Sequence, residues 1–200
     1  MAKVLIATLY KPDPVLIASN RFGPDKLILL IDTKTNTTQK NSYQLIQQSI
    51  GRVVKVKQVK TEVYDIVKIA EKCVKIIDEQ SDEDQIYVNI TSGRKTQAFG
   101  LLFAAYARSD RVKKIAYNPE EGKKAVIWLP KISFNLNESQ KKVLAALGEK
   151  KYSNIPLTDI AKKIGMSRAM LYKCIKELTK LGYIAEDKRT LTDEGRIARL

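Results

Sequence analysis

The sequence predicts an α/β fold, a three-layer sandwich around a mostly parallel sheet, followed by a small helix-turn-helix domain. Apolar strand patterns alternate with helical patterns from the first residues onward, the order that builds a parallel sheet covered by helices. The apolar stretch Ile86 to Ile90 runs through a short polar turn into a long helical pattern. From Leu157 to Leu181 the periodicity is that of two helices joined by a glycine turn. The 200 residues accommodate one domain of about 130 residues and another of about 65. The boundary is expected between residues 1–134 and 135–200, with Pro130 to Asn135 as linker.

Lys3 to Leu9 is a continuous apolar run, as a central strand buried on both faces requires, and Lys11-Pro12-Asp13-Pro14 breaks it. Asp13 reads as an N-cap, with Pro14 opening a short helix through Phe22 that Gly23-Pro24 ends. Leu27 to Ile31 is a second buried strand, and Ser42 to Ile50 a helix closed by Gly51. Val53 to Val59 alternates valine with lysine or glutamine, the pattern of a peripheral strand. Glu62 to Gln80 sets Ile66, Ile69, Ala70, Cys73, Ile76 and Ile77 on one helical face. Thr96 to Arg108 is a strongly apolar helix. Lys114 to Tyr117 and Ala125 to Leu129 are strands joined by the turn Asn118 to Gly122, a hairpin at a sheet edge.

In the C-terminal part, Asn137 with Gln140 three residues on is a cap arrangement for a helix over Glu138 to Leu147. Leu157 to Ile164 and Arg168 to Leu181 are the paired helices, with Gly165-Met166-Ser167 between them and Gly182 as the stop. Ala161 allows close helix crossing, Gly165 makes the turn, and Leu171 anchors the second helix, with Ile175, Leu178 and Leu181 continuing its buried face. Its other face, with Ser167 at the start, offers Arg168, Ala169, Tyr172, Lys173 and Lys176 to phosphates and base edges in a DNA major groove. Tyr183 to Leu191 reads as two strands around Glu186-Asp187-Lys188-Arg189, a wing that adds Lys188 and Arg189.

The formal net charge of +14 belongs to both parts. Residues 1–134 hold 22 Lys and Arg against 14 Asp and Glu, net +8; residues 135–200 hold 14 against 8, net +6. The density is higher in the small domain, as expected of a binder of the phosphate backbone of double-stranded DNA. Cys73 and Cys174 stand alone in different helical patterns, which excludes a disulfide framework and a cysteine metal cluster. Histidine is absent, removing the commonest proton shuttle and metal ligand. No metal or resident cofactor is therefore expected. No apolar run approaches the roughly 20 residues of a membrane span, and Met1 to Ile6 lacks a signal peptide's apolar region. A cytoplasmic protein without membrane contact is expected.

Right-handed crossovers bring the turns after the first strand and after Ile90 to one rim, at the carboxyl ends of the strands. Thr8, Leu9, Tyr10 and Lys11 line that rim from one side, and Thr91, Ser92, Gly93, Arg94, Lys95 and Thr96 from the other. Gly93 permits close backbone approach, Arg94 and Lys95 add positive charge, and the helix opening at Thr96 adds its dipole end, so the expected ligand is anionic. Lys95 is the firmest of these choices, because the dipole repels a cation beside a helix N-terminus and offers it no structural reward.

The segment Asn89-Ile90-Thr91-Ser92-Gly93-Arg94-Lys95, with the appended winged helix, resembles the CARF proteins of the CRISPR-associated winged-helix regulator type. Nearly the whole chain takes part, the N-terminal part by architecture rather than by motif. Ser92 stands where that family commonly has glycine. The resemblance implies a Rossmann-like CARF domain and a homodimer whose rims face each other and share a cyclic oligoadenylate. It points to cyclic tetra-adenylate, whose symmetry suits a two-fold. It further implies transcription regulation at a CRISPR locus, in antiviral defence. Ser92, Gly93, Arg94 and Lys95 would then meet phosphates and ribose hydroxyls.

Two alternatives stay open. One is a ring nuclease, in which Lys95 with Ser92 or Thr8 would orient a 2′-hydroxyl attack on the adjacent phosphate; such a step needs positioning and charge more than a strong base. Otherwise no catalytic residue is assigned. The other is a winged-helix regulator of a different anion, such as a dinucleotide, although no G-x-G-x-x-G follows the first strand.

Overall fold

The structure, a computed structural model, describes residues 1–119, 126–130 and 136–199. It divides into two compact units, Met1–Lys131 and Ile132–Leu200.

The first unit alternates β1 (Lys3–Thr8), α1 (Asp13–Phe22), β2 (Lys26–Asp32), α2 (Thr37–Ile50), β3 (Lys55–Thr61), α3 (Ile66–Asp78), β4 (Gln85–Asn89), α4 (Lys95–Ala107), β5 (Val112–Tyr117) and β6 (Ile127–Leu129). The sheet order is β3-β2-β1-β4-β5-β6. The first five strands are parallel and β6 pairs antiparallel with β5. Chain order reverses between β1 and β4, whose registers match Ala7 to Asn89. A crevice at a carboxyl-end rim belongs at such a reversal.

Two apolar layers cover the sheet. Val15, Ala18 and Phe22 of α1 and Ile46 of α2 pack on Leu5, Ala7, Leu27 and Leu29. Ile69, Cys73 and Ile77 of α3, with Leu101 and Ala104 of α4, pack on Val4, Ile6, Ile86 and Val88. Burial pushes the Cys73 thiol up to about 12, so it behaves as a small apolar side chain. At the peripheral strand β3, Lys55, Lys57 and Lys60 are exposed, which discourages a further strand from pairing there.

Gly100 packs tightly against α3: a Cβ there would lie 2.5 Å from Ile69 Cγ2 and 2.8 Å from its Cβ. Alanine raises helix propensity by about 1 kcal/mol, but overpacking such a contact costs about 1–3 kcal/mol. Gly100→Ala is therefore expected to lower stability by up to about 2 kcal/mol in chemical denaturation; a gain in stability would show that the two helices yield.

Several boundaries differ from the sequence expectation. Asp13 is the first helical residue of α1 and not its cap, because Pro12 takes the capping position without a side-chain hydrogen bond. Helix α2 begins at Thr37, five residues before Ser42, because the Asn36 side chain accepts from Gln39 N and starts it there. Helix α3 begins at Ile66, capped by Asp65, so Glu62 to Tyr64 belong to the loop. Ile66 and Ala70 are only partly buried and line a groove with α4. Most of the turn expected over 118–122, and all of the expected linker after Pro130, lie outside the described residues.

The second unit holds α5 (Glu138–Leu147), a short 3₁₀ turn (Lys150–Tyr152), α6 (Leu157–Lys163), α7 (Arg168–Lys180) and α8 (Asp193–Ala198). Asn137 and Gln140 form the expected reciprocal cap on α5. Val143, Leu144, Ala161, Leu171, Cys174, Ile175 and Leu178 make the core. Two expectations fail. Leu181 lies beyond the end of α7 and is 48% exposed rather than buried. The wing is a tight turn closed by a single bridge, Ile184 to Leu191, rather than two strands. The Asp187 carboxylate accepts the backbone N–H groups of Arg189 and Thr190, each at 2.8 Å, and a turn so bonded leaves too few residues for a ladder. Those hydrogen bonds, with that from the Thr190 hydroxyl first among them, hold the Asp187 carboxyl below its ordinary value. Helix α8 was not foreseen.

Candidate functional site

Four βα loops meet at the rim, and hydrogen bonds knit them together. Ser92 is buried; its Oγ accepts from Tyr10 N at 2.8 Å and Lys11 N at 3.0 Å and donates to Lys11 O at 3.1 Å. The fully buried Thr8 hydroxyl donates to Ser92 O. The Tyr10 carbonyl is held in turn by the Ser42 hydroxyl at 2.7 Å. Thr91 exchanges hydrogen bonds with Asn118, which also takes the Asn89 amide at 2.7 Å, so the ends of β4 and β5 are tied. The Thr96 hydroxyl donates to Val63 O and ties α4 to the loop before α3.

Gly93 has φ +82°, and a Cβ on it would lie 2.8 Å from the Cβ of Thr8. The glycine is thus required by backbone conformation and by close packing against β1. Ser92 likewise spends its hydroxyl on the fold. Where a glycine would leave the loop after β1 untethered, the serine fastens it.

Arg94 precedes α4, and its Nε lies 2.8 Å from Asp32 Oδ2 at the end of β2. The Asp32 side chain is 2% exposed and that of Arg94 42%. The other carboxylate oxygen, Oδ1, accepts from Gln39 Nε2 at 3.1 Å. The hydrogen bond to Asp32, and then its charge, raise the Arg94 pKa above its ordinary value, with smaller contributions from Tyr64 and Tyr10. The guanidinium carbon lies 6.0 Å from the Tyr64 ring centroid. Arg94 is therefore a half-exposed cation anchored from below.

Lys95, the first residue of α4, is exposed, and among the described residues no ion pair or hydrogen bond engages its ammonium. No intramolecular acceptor takes the backbone N–H of Gly93, Lys95 or Thr96 among the described residues. Three free N–H donors, a helix N-terminus and an unpaired cation form a place for an anion. Of the residues expected from sequence, Thr8, Thr91, Ser92 and Thr96 serve mainly as framework. Tyr10, Arg94 and Lys95 are exposed, with the free N–H groups beside them. Asp32, Gln39 and Tyr64 were missed; parallel topology puts every strand's carboxyl end at this rim, and that rule was applied only to β1 and β4. Among the described residues no group of histidine, cysteine, aspartate and glutamate is arranged for a metal ion.

In the second unit, Ser167 caps α7, its Oγ accepting from Met170 N at 3.2 Å, and Gly165 makes the turn before it with φ +66°. Arg168, Ala169, Tyr172, Lys173 and Lys176 are all exposed, and the Arg168 guanidinium sits 5.7 Å from the Tyr172 ring centroid. In the wing, Lys188 is exposed with φ +60°. Arg189 donates to the carbonyls of Ser153, at 2.8 Å, and Ile155, so it braces the wing against the segment before α6.

Comparison with known proteins agrees with this division. Residues 136–185 match the HTH_24 model, winged helix-turn-helix DNA-binding. No curated protein matches the chain. Among solved structures, Can2 from Sulfobacillus thermosulfidooxidans in complex with cyclic tetra-adenylate is 16% identical, with TM-score 0.52, over 98% of this chain and 63% of that one. Enterococcus italicus Csm6 bound to cyclic hexa-2′-fluoro-hexa-dAMP is 12% identical, with TM-score 0.56, over 100% and 59%. A Type III CRISPR defence DNA nuclease activated by cyclic oligoadenylate is 13% identical, with TM-score 0.51, over 91% and 35%. The chain thus spans less than two thirds of each of these proteins, and the likeness is one of fold, CARF-like in the α/β unit. Residues 4–122, more than half of the chain, match the HFX_2341_N model, described as "-like, N-terminal", and the chain accordingly belongs to that family.

Proposed function

We propose that this protein is a CRISPR-associated transcription regulator of the cytoplasm, acting in antiviral defence. Two copies bind one cyclic oligoadenylate, the four-membered ring, between their rims, and bind double-stranded DNA through their winged helices. The observation that carries the reading is the unpaired Lys95 ammonium beside the free N–H groups of Gly93, Lys95 and Thr96. Phosphates of the ring are taken by these donors, with Arg94 and Tyr10 at the margin of the same rim.

A two-fold pair is supported by α3 and α4, whose outer faces leave a groove of about 790 Å³ in which Val67, Val74 and Phe103 sit among apolar neighbours, with Glu71, Lys75 and Asp78 also lining it. Val67, Phe99 and Phe103 are 67%, 48% and 51% exposed, an apolar surface of the kind that mates with a partner. A ligand bridging two copies favours one spacing of their DNA-binding domains over others, and DNA affinity changes with it.

The ring-nuclease alternative would enlist Ser92 or Thr8 beside Lys95. Both hydroxyls are occupied within the fold, which favours a ligand that is held and not cut. Calorimetric titration with cyclic tetra-adenylate, followed by chromatography of the recovered nucleotide, separates a sensor from a nuclease. Nothing among the described residues favours a dinucleotide. No helix among them is long and apolar enough to cross a membrane.

A further inference from the structure

Tyr64 is 80% exposed, an unusual place for a large aromatic ring, yet its backbone is fixed on both sides. Before it, the Val63 carbonyl accepts the Thr96 hydroxyl from α4. After it, Asp65 caps α3, its Oδ1 accepting from Lys68 N at 3.0 Å. The ring thus projects from a rigid mount without packing against the core. Its neighbour is the Arg94 guanidinium, which is itself anchored by the buried Asp32 carboxylate. A loop that only had to connect β3 to α3 has no use for an exposed phenol ring beside an anchored cation.

We infer that Tyr64, with Arg94 beside it, is the base-stacking platform of this rim and gives the site its preference for a nucleotide over a bare phosphate. The inference rests on the reading of the rim proposed above and adds a specificity-determining residue to it. Stacking needs a flat ring held at low entropic cost, and a tyrosine on a fixed backbone supplies one. The Arg94 guanidinium lies over the ring, 6.0 Å from its centroid, and adds a planar cation to which a purine face is also attracted. Phosphates are left to Lys95 and the α4 N-terminus, so one loop reads charge and the neighbouring loop reads the base.

The test is calorimetric titration of the full chain with cyclic tetra-adenylate, comparing the parent with Tyr64→Ala and Tyr64→Phe. Tyr64→Ala is expected to weaken binding by about tenfold or more, and Tyr64→Phe to stay within about twofold of the parent, because the ring and not the hydroxyl carries the contact. An exposed residue can be removed without unfolding the protein, and thermal melts of both variants should match the parent. If the parent binds and Tyr64→Ala binds equally well, the platform is refuted while the phosphate site stands. A Phe variant as weak as the Ala variant also refutes it, because the hydroxyl would then be the contact. A parent that does not bind the ring overturns the reading of the rim, and this inference with it.

Discussion

Lys95→Ala is expected to weaken binding of cyclic tetra-adenylate by about tenfold to a hundredfold while leaving the folded protein unchanged. A hydrogen bond to a charged group contributes about 1.5–3 kcal/mol, and each 1.4 kcal/mol is a factor of ten in affinity. That range is for one contact; if one ring sits between two copies, each substitution removes two, about 3 kcal/mol or more together, and the loss is about a hundredfold or more. The fold should not notice. Lys95 is exposed and unpaired among the described residues, and it starts a helix whose dipole repels it, so its removal leaves no orphaned partner. Arg94→Ala is a poorer probe, because it strips the buried Asp32 carboxylate of its partner and so mixes folding with binding. Titration and a thermal melt on the same preparation separate the two: lost affinity with an unchanged melt supports a phosphate contact, and unchanged affinity removes Lys95 from the site.

The second large effect concerns DNA. Lys173 and Lys176 are exposed on the face of α7 opposite Leu171, Ile175 and Leu178. Replacing both by alanine is expected to reduce affinity on the order of tenfold per lysine, on any sequence. The more diagnostic readout is salt: each phosphate contact removed lowers the slope of log affinity against log salt by about one, so the double variant should lose about two. Arg168→Ala differs in kind. Arg168 opens the recognition helix, where side chains reach base edges, and its loss should relax sequence preference more than it changes the slope. A slope unchanged in the double variant would mean that α7 faces something other than the phosphate backbone.

Some of this was legible in the sequence because it is carried by local pattern. The run from Lys3 to Leu9 has no polar residue between Val4 and Ala7, and it became the sheet's central strand. The alternation of Val53 to Val59 gave a peripheral strand, and the Asn137–Gln140 spacing gave a capped helix in place. The spacing of Ala161, Gly165 and Leu171 placed both helices of the DNA-reading pair within a residue of their ends. What was missed depends on groups far apart in the chain. Asp32 and Arg94 are 62 residues apart and no periodicity joins them. Tyr64 is one polar-loop residue among many until α4 is seen to fasten the carbonyl before it.

The wing and the rim hydroxyls show the same limit from another side. Tyr183 to Leu191 has the composition of two strands, but the Asp187 side chain takes two backbone N–H groups and makes a turn. Thr8 and Ser92 have the right chemistry to meet a ligand, and their position at a strand end suggested that they do. In the fold both hydroxyls are enclosed between loops and spend their hydrogen bonds inside the protein. Residue type and position told where the rim is, while accessibility sorted its framework from its free donors.

The most direct measurement is isothermal titration of the purified protein with cyclic tetra-adenylate, followed by chromatography of the recovered nucleotide. Tight binding at one ring per two chains, with the ring recovered intact, is the expected result. Recovery of linear product would make the protein a ring nuclease with a DNA-binding domain, and no heat of binding would remove the cyclic nucleotide, and Lys95 as its anchor, from the α4 rim.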